Sequence, residues 1–335
     1  PNNLQKVFFS DDGSTAVEVA LKMAFQYWHN KGQAKRNILA LNGAYHGDTF
    51  GAMSIGQRGY FNEPFEHLFF DVDYLDFPVR QEEERILAQA EEKFKSGTFA
   101  AVIVEPLVQG SAGMRMYRPE FLENLVSLAK KHDVLVIFDE IMTGWGRTGK
   151  LFAMNYIQGT PDIVCLSKGL TAGVMALGLT VATDQIYEAF LSKEKTKALL
   201  HGHSFTANAL SCAAACANLD LIEDPSFFDD IDRISIQHTT FFNDLRGHEM
   251  ISDIRQTGTI IAVEIKQTNE ESSYFASLRD RIYNFFLDRN ILIRPLGNVL
   301  FVNPPYCTTD EQLRHVYESI KELLEELLKE NRLTN

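Results

Sequence analysis

Val134-Leu135-Val136-Ile137-Phe138 is an unbroken apolar run, rich in β-branched residues, that stops at two acids, Asp139-Glu140. A run this short reads as a strand buried on both faces, because a strand with one wet face would alternate apolar and polar residues. Upstream, Pro119 opens a segment with Leu122, Leu125, Val126 and Ala129 at helical spacing. A second apolar run, Ala101-Val102-Ile103-Val104, precedes that helix, and a third, Ile163-Val164-Cys165-Leu166, follows the acids. Near the N-terminus Val7-Phe8-Phe9 leads into a helix with Val17, Leu21, Ala24 and Trp28 on one face, and Ile38-Leu39-Ala40-Leu41 adds another strand. Apolar strands alternating with amphipathic helices predict an α/β domain whose mostly parallel sheet is covered on both faces.

The pattern changes after Asp224-Pro225. Ile260-Ile261-Ala262-Val263, Ile291-Leu292-Ile293 and Val299-Leu300-Phe301-Val302 read as short strands between long helices. The last helix, residues 310–330, gathers Leu313, Val316, Ile320, Leu323, Leu324 and Leu327 on one side. The expected organisation is a large domain over residues 1–223 and a smaller C-terminal α+β domain over residues 224–335, without repeats or a long linker.

Composition excludes several classes. The 335 residues are 45% hydrophobic and 23% charged, which excludes disorder and is ample for a buried core. A net charge of −13 repels nucleic-acid backbones and anionic membranes, and no basic patch offsets it. The acid-rich Gln81-Glu82-Glu83-Glu84 and Glu325-Glu326 read as solvated helix faces. Cys165, Cys212, Cys216 and Cys307 have no metal-site or Cys-x-x-Cys spacing, and Cys212 and Cys216 read as small buried packing residues on a helix. Sparse cysteines, and no run approaching the roughly 20 apolar residues of a membrane span, make the cytoplasm the expected compartment. A strand almost at Pro1, with no initial Met, makes a preceding segment expected.

Four segments carry chemistry. Ser10-Asp11-Asp12-Gly13-Ser14-Thr15 joins a strand to a helix start; Thr15 and Glu18 have capping-box spacing, and the helix N-terminus offers N–H groups to a phosphate. Gly43-Ala44-Tyr45-His46-Gly47-Asp48-Thr49 follows a strand and brings a ring, Tyr45, able to stack on a flat ligand. Asp139-Glu140 places two acids directly after a buried strand, which is costly unless one of them meets a cation. Ser167-Lys168-Gly169 ends the next strand, where partial desolvation would lower the pKa of Lys168 and free its amine as a nucleophile. Singly, each has a plainer reading as a capped helix, a satisfied turn, a structural ion pair or a solvent-facing lysine. Together, in this order, they meet the needs of pyridoxal 5'-phosphate: donors for the phosphate, a partner for the ring, an anion for the pyridine nitrogen and a lysine for the aldehyde.

On these motifs, with Gly144, Gly146, Arg147, Thr148 and Gly149 after Asp139-Glu140, the chain resembles the class III aminotransferases, enzymes of the pyridoxal-phosphate-dependent transferase fold type I. Within that class, residues 16–28, Tyr45-His46-Gly47-Asp48-Thr49-Phe50-Gly51-Ala52-Met53-Ser54, His201-Gly202-His203-Ser204-Phe205, and Arg294-Pro295 with Asn303-Pro304-Pro305-Tyr306 are similar to the diaminopelargonate synthases of biotin synthesis. The resemblance implies that Gly13 and Ser14 hold the phosphate, Tyr45 covers the ring and bounds the substrate, Asp139 pairs with the pyridinium, and Lys168 carries the cofactor as a Schiff base. It implies that His203 and Ser204 of a neighbouring subunit border the phosphate in a homodimer with shared active sites, and that Gly202 and Arg294 contact substrate, Arg294 through its carboxylate. The implied reaction moves an amino group from S-adenosylmethionine to 7-keto-8-aminopelargonate. A lysine-dependent synthase, or another ω-aminotransferase, is the alternative. His203-Ser204 stands where the family pattern has Pro-Thr, and the family carries an N-terminal segment with substrate contacts ahead of the position matched by Pro1.

Overall fold

The computed structural model describes residues 3–266 and 277–334. The chain divides into two compact units. One comprises the described residues up to Gly110, Tyr117–Trp145 and Lys150–Asp224; the other comprises Ser111–Met116, Gly146–Gly149 and the described residues from Pro225 onward.

The first unit holds a seven-stranded sheet among the described residues. Its members are β1 (Leu4–Ser10), β2 (Asn37–Leu41), β3 (Asp73–Leu75) and β4 (Phe99–Val104). After two short strands, β5 (Val108–Gln109) and β6 (Arg115–Met116), come β7 (Leu135–Asp139), β8 (Ile163–Leu166) and β9 (Gly178–Thr183). The order across the sheet is β1-β9-β8-β7-β4-β2-β3. Only β9 runs against its neighbours, so β1, β2, β4, β7 and β8 all end at one edge. Every residue of β4, β7 and β8 is buried, as their unbroken apolar composition predicts. The chain leaves β2 for the outer strand β3, then returns to place β4 on the other side of β2, a reversal of strand order where α/β sheets open a crevice at the strand ends.

Helix α1 (Gly13–Asn30) buries Val17, Leu21, Ala24 and Trp28, the face expected of it, against the sheet. The capping differs from the expectation. Asp12, not Thr15, is the N-cap: its carboxylate accepts the Thr15 N–H (2.9 Å), and the Asp12 N–H donates to Thr15 Oγ1 (2.9 Å). Glu18 instead accepts the Thr49 hydroxyl (2.6 Å) and the Gly51 N–H (2.7 Å), capping the short α2 (Phe50–Ile55). Helices α3 (Glu83–Lys95), α4 (Pro119–Lys131), α5 (Asp184–Glu188) and α6 (Ala209–Ile222) complete the unit. Glu83 departs from the solvated-face reading: it is buried and paired with the Arg118 guanidinium (Nε–Oε1 2.9 Å). On α6, Cys212 is half-buried and Cys216 exposed, so neither is a fully buried packing residue.

The second unit packs α7 (Phe227–Leu245), α8 (Ser277–Leu287) and α9 (Asp310–Thr334) with an antiparallel sheet of β10 (Ile251–Thr257), β11 (Ile260–Ile265) and β12 (Val299–Val302). Leu313, Ile320, Leu323, Leu324 and Leu327 of α9 enter its core, as their spacing predicts. Ile291-Leu292-Ile293, expected as a strand, is not a ladder strand; it alternates inward and outward, with Leu292 exposed. Strand β10, too polar to announce itself, pairs with β11. Among the described residues no helix is long and apolar enough to cross a membrane.

Candidate active site

The five strands that end together deliver one feature each to the first unit. After β1 come Asp11, Asp12, Gly13 and Ser14 at the start of α1; the Gly13 and Ser14 amides lie in the first turn and have no acceptor within the helix. After β2 comes the loop with Tyr45, His46 and Gly47. This loop lies against the helix start: Gly47 has a φ of +120°, and a Cβ there would stand 2.0 Å from Ser14 Oγ. The position therefore requires glycine for both conformation and space. After β4 comes Glu105, at the end of β7 is Asp139, and after β8 come Ser167 and Lys168. β7 and β8 are adjacent, with Asp139 opposite Cys165 in the ladder, three residues before Lys168.

Asp139 is buried. Its Oδ1 accepts the Ile141 N–H (3.1 Å) and its Oδ2 accepts Nδ1–H of His46 (2.7 Å). His46 is buried as well, and its Nε2 has no partner among the described residues. Burial works against the His46 proton, but the hydrogen bond and charge of Asp139, with the charge of Glu105, outweigh it and hold the imidazole above its ordinary range. Glu105 accepts the N–H groups of Tyr45 (3.0 Å) and Gly110 (2.9 Å), and burial pushes its carboxyl up to about 7. Tyr45 keeps 43% of its surface exposed and donates its hydroxyl to Asp48 (2.8 Å); burial first, then Asp48, push the phenol up to about 12. Glu140 points elsewhere: it accepts the Thr143 hydroxyl (2.7 Å) and the Ala153 (3.0 Å) and Met154 (2.7 Å) N–H groups, a structural cap.

Lys168 departs from its expectation. It is exposed, not partly desolvated, and sits at a φ of +43°, a left-handed conformation unusual for lysine. Strain of this kind gathers at functional positions. Ser204 and Gly202 lie on an exposed stretch; His203 beside them is half-buried and faces Asp11 (3.8 Å). Arg294 lies in the second unit and is exposed. His46 and Glu105 escaped the sequence reading. Glu105 carries the signal that singled out Asp139, an acid directly after a buried apolar strand, Phe99–Val104.

The donor set fits pyridoxal phosphate: helix-start amides for a phosphate, a buried carboxylate for a pyridinium, an exposed ring, and a lysine two residues past the strand next to the carboxylate's. Residues 1–324 match the class-III aminotransferase family.

The chain belongs to the class-III aminotransferases.

Members of this family are pyridoxal-phosphate-dependent enzymes of fold type I, and so is this aminotransferase. It is 46% identical to the adenosylmethionine-8-amino-7-oxononanoate aminotransferase of Synechococcus elongatus, over 98% of this chain and 78% of that one. It is 37% identical to the enzyme of the same name from Geobacter sulfurreducens, over 96% of this chain and 75% of that one. Among solved structures, the Methanocaldococcus jannaschii enzyme of that name superposes with a TM-score of 0.89 at 34% identity, covering 96% of this chain and 76% of its own. A PLP-bound amine transaminase from an uncultivated Pseudomonas species superposes with a TM-score of 0.86 at 27% identity, covering 95% and 76%.

Proposed function

We propose that the aminotransferase moves the amino group of S-adenosylmethionine to 7-keto-8-aminopelargonate, forming 7,8-diaminopelargonate for biotin synthesis. The observation that carries the reading is the similarity, over nearly all of this chain, to enzymes named for this reaction, joined to a buried Asp139–His46 pair whose carboxylate ends the strand next to the one that leads to Lys168. Pyridoxal phosphate, when bound, supplies an aldehyde that takes the amino group and a ring that accepts electrons as the donor carbon loses its proton. In this reading the amides of Gly13 and Ser14, with Ser204 of a neighbouring subunit, hold the phosphate, and Tyr45 covers the ring. Asp139 is the anion for the pyridine nitrogen, and His46 keeps that carboxylate oriented through its Nδ1–H. Lys168 would hold the aldehyde, and its amine would be the base for the proton of the donor carbon. Arg294 receives the acceptor's carboxylate.

The domain division of this reading is a cofactor domain over residues 1–223 and a smaller domain over residues 224–335, except that Ser111–Met116 and Gly146–Gly149 group with the second unit. The working form is a homodimer in a reducing compartment, the cytoplasm. The deciding experiment follows the visible band of the cofactor-loaded enzyme in single half-reactions. S-adenosylmethionine should bleach it, lysine and simple amines should not, and Lys168→Ala should show no turnover with any donor. Bleaching by lysine alone would change the donor and keep the family; steady turnover by Lys168→Ala, without added amine, would remove Lys168 from its role.

A further inference from the structure

Three basic side chains and one acid line up beside the phosphate-binding turn. Lys22 Nζ of α1 lies 2.8 Å from His201 Nδ1, His201 Nε2 lies 3.0 Å from His203 Nε2, and His203 Nδ1 lies 3.8 Å from Asp11 Oδ2. Asp11 Oδ1 is buried without a partner among the described residues, while the side chain as a whole keeps 35% of its surface exposed. The Phe8 ring packs on His201 with centroids 5.9 Å apart, and the two imidazoles meet edge to face with centroids 4.7 Å apart.

Only one arrangement of protons satisfies these contacts. An ammonium donates and never accepts, so His201 Nδ1 is the acceptor and the proton of a neutral His201 is on Nε2. That proton faces His203 Nε2, which must accept it; His203 then carries its own proton on Nδ1, aimed at the Asp11 carboxylate. We propose that Lys22, His201 and His203 form a one-way hydrogen-bond chain, ending at ion-pair distance from Asp11, that ties the Gly202–Ser204 segment to the phosphate-binding turn, and that acid opens it. The inference rests on the reading above, in which that segment borders the cofactor phosphate of a neighbouring subunit, so the chain steadies it within the subunit that supplies it.

A proton added to either imidazole breaks the chain. On His201 it sets an N–H against the Lys22 ammonium; on His203 it sets two N–H groups against each other at 3.0 Å. The charged groups facing the pair are Lys22 and Glu18 on α1 and Asp11 in the turn, while β1 contributes only the uncharged Phe8. Burial, then Lys22 and His203, lower the His201 pKa, so its neutral form persists at neutral pH. The sign follows for His201: the tie is complete above its ordinary 6.5 and is lost as the pH falls below that value toward its lowered one. Two histidines one residue apart also suit a transition metal, but that needs both Nε2 atoms bare, which the Lys22 contact at His201 Nδ1 opposes. Among the described residues no group of three or more candidate ligands gathers.

The test reads tautomers in the cofactor-loaded enzyme by selective nitrogen-15 labelling of histidine, with His201→Asn and His203→Asn for assignment. Expected at a pH of about 8, above the imidazole range, are a bare Nδ1 on His201 and a protonated Nδ1 on His203, the tautomer less favoured in water. The same tautomer on both rings, or a charged ring at that pH, overturns the proposal. A second readout is hydrogen exchange of residues 200–206 in the cofactor-free protein, corrected for intrinsic rates. Protection should fall as the pH drops from about 7.5 to about 5.5, across imidazole titration; Lys22→Met and Asp11→Asn should each remove that fall, and its persistence in both variants counts against the chain. Each variant should weaken pyridoxal phosphate binding about three- to tenfold, the worth of one hydrogen bond. Ser204→Ala separates the two ideas: unchanged cofactor affinity with the expected tautomers removes the segment from the phosphate and so overturns the tie's purpose, whereas weakened affinity with wrong tautomers overturns the chain alone.

Discussion

Two acids follow β7 directly, and their surroundings give them different work. Asp139 meets an imidazole and one backbone N–H, leaving a carboxylate paired with a group able to hold a proton. Glu140 is enclosed by three donors of its own unit, and burial pushes its carboxyl up to about 7. A carboxyl raised from its ordinary 4.5 contributes stability that is complete below that value and lost as the pH rises through about 7. Glu140→Gln removes this titration but turns an NH2 toward backbone donors. The expected outcome is a loss of about 1–3 kcal/mol, the cost of unsatisfied buried donors, with a flatter stability profile across that window. Urea unfolding of both proteins at a series of pH values measures it.

At the scale of elements, capping sets where the loops lie. Sequence spacing paired Thr15 with Glu18, but the turn after β1 brings Asp12 into position one turn earlier and leaves Glu18 free to reach across to α2. Glu18 thus ties α1 to the loop carrying Tyr45 and His46, and Gly51 has no room for a side chain because the Glu18 carboxylate lies 2.3 Å from where its Cβ would be. Glu18→Ala should cost about 1–2 kcal/mol, as for the loss of a good N-cap. It should also speed hydrogen exchange at residues 49–52 while leaving the interior of α1 unchanged. Equal protection in the two proteins would show that α2 holds the loop without help.

Across the molecule, the two units answer to acid in different ways. In the second, His238 donates to the Thr259 carbonyl (3.1 Å) and accepts from the Tyr317 hydroxyl (2.6 Å); burial lowers its pKa to about 4. Its neutral form contributes stability that is fully present above the ordinary 6.5 and lost as the pH falls toward about 4. His238→Gln, which can keep one donor and one acceptor, should blunt that acid loss in pH-dependent urea midpoints; an unchanged slope would assign it to other groups. In the first unit, Leu210 and Leu221 of α6 are 70% and 67% exposed, and Phe205 just before the helix is 67% exposed. Apolar surface of this extent marks an association face, in keeping with the homodimer proposed above. Leu210→Glu with Leu221→Glu should sediment as a monomer and retain less cofactor than the parent enzyme.

Strand identity, the inward faces of α1, α4 and α9, and the acid and lysine at neighbouring strand ends were legible in residue order, because burial on both faces leaves an unbroken apolar run and burial on one leaves a period. Polar β10 and antiparallel β9, whose apolar run is interrupted by Thr180 and Thr183, carried no such signature, and the 291–293 run shows that a short apolar run is not sufficient for a ladder strand. Nor could spacing reveal that Glu105 and His46 converge on Asp139, that Glu18 serves a second helix, or that Glu83 is buried with Arg118. Those partnerships join residues far apart in the chain, and their energies depend on distance and burial, quantities that exist only once the sheet has brought the strand ends to one edge. The exposure of Lys168 belongs with them: its place after β8 was written in the order of residues, its solvent contact in the packing.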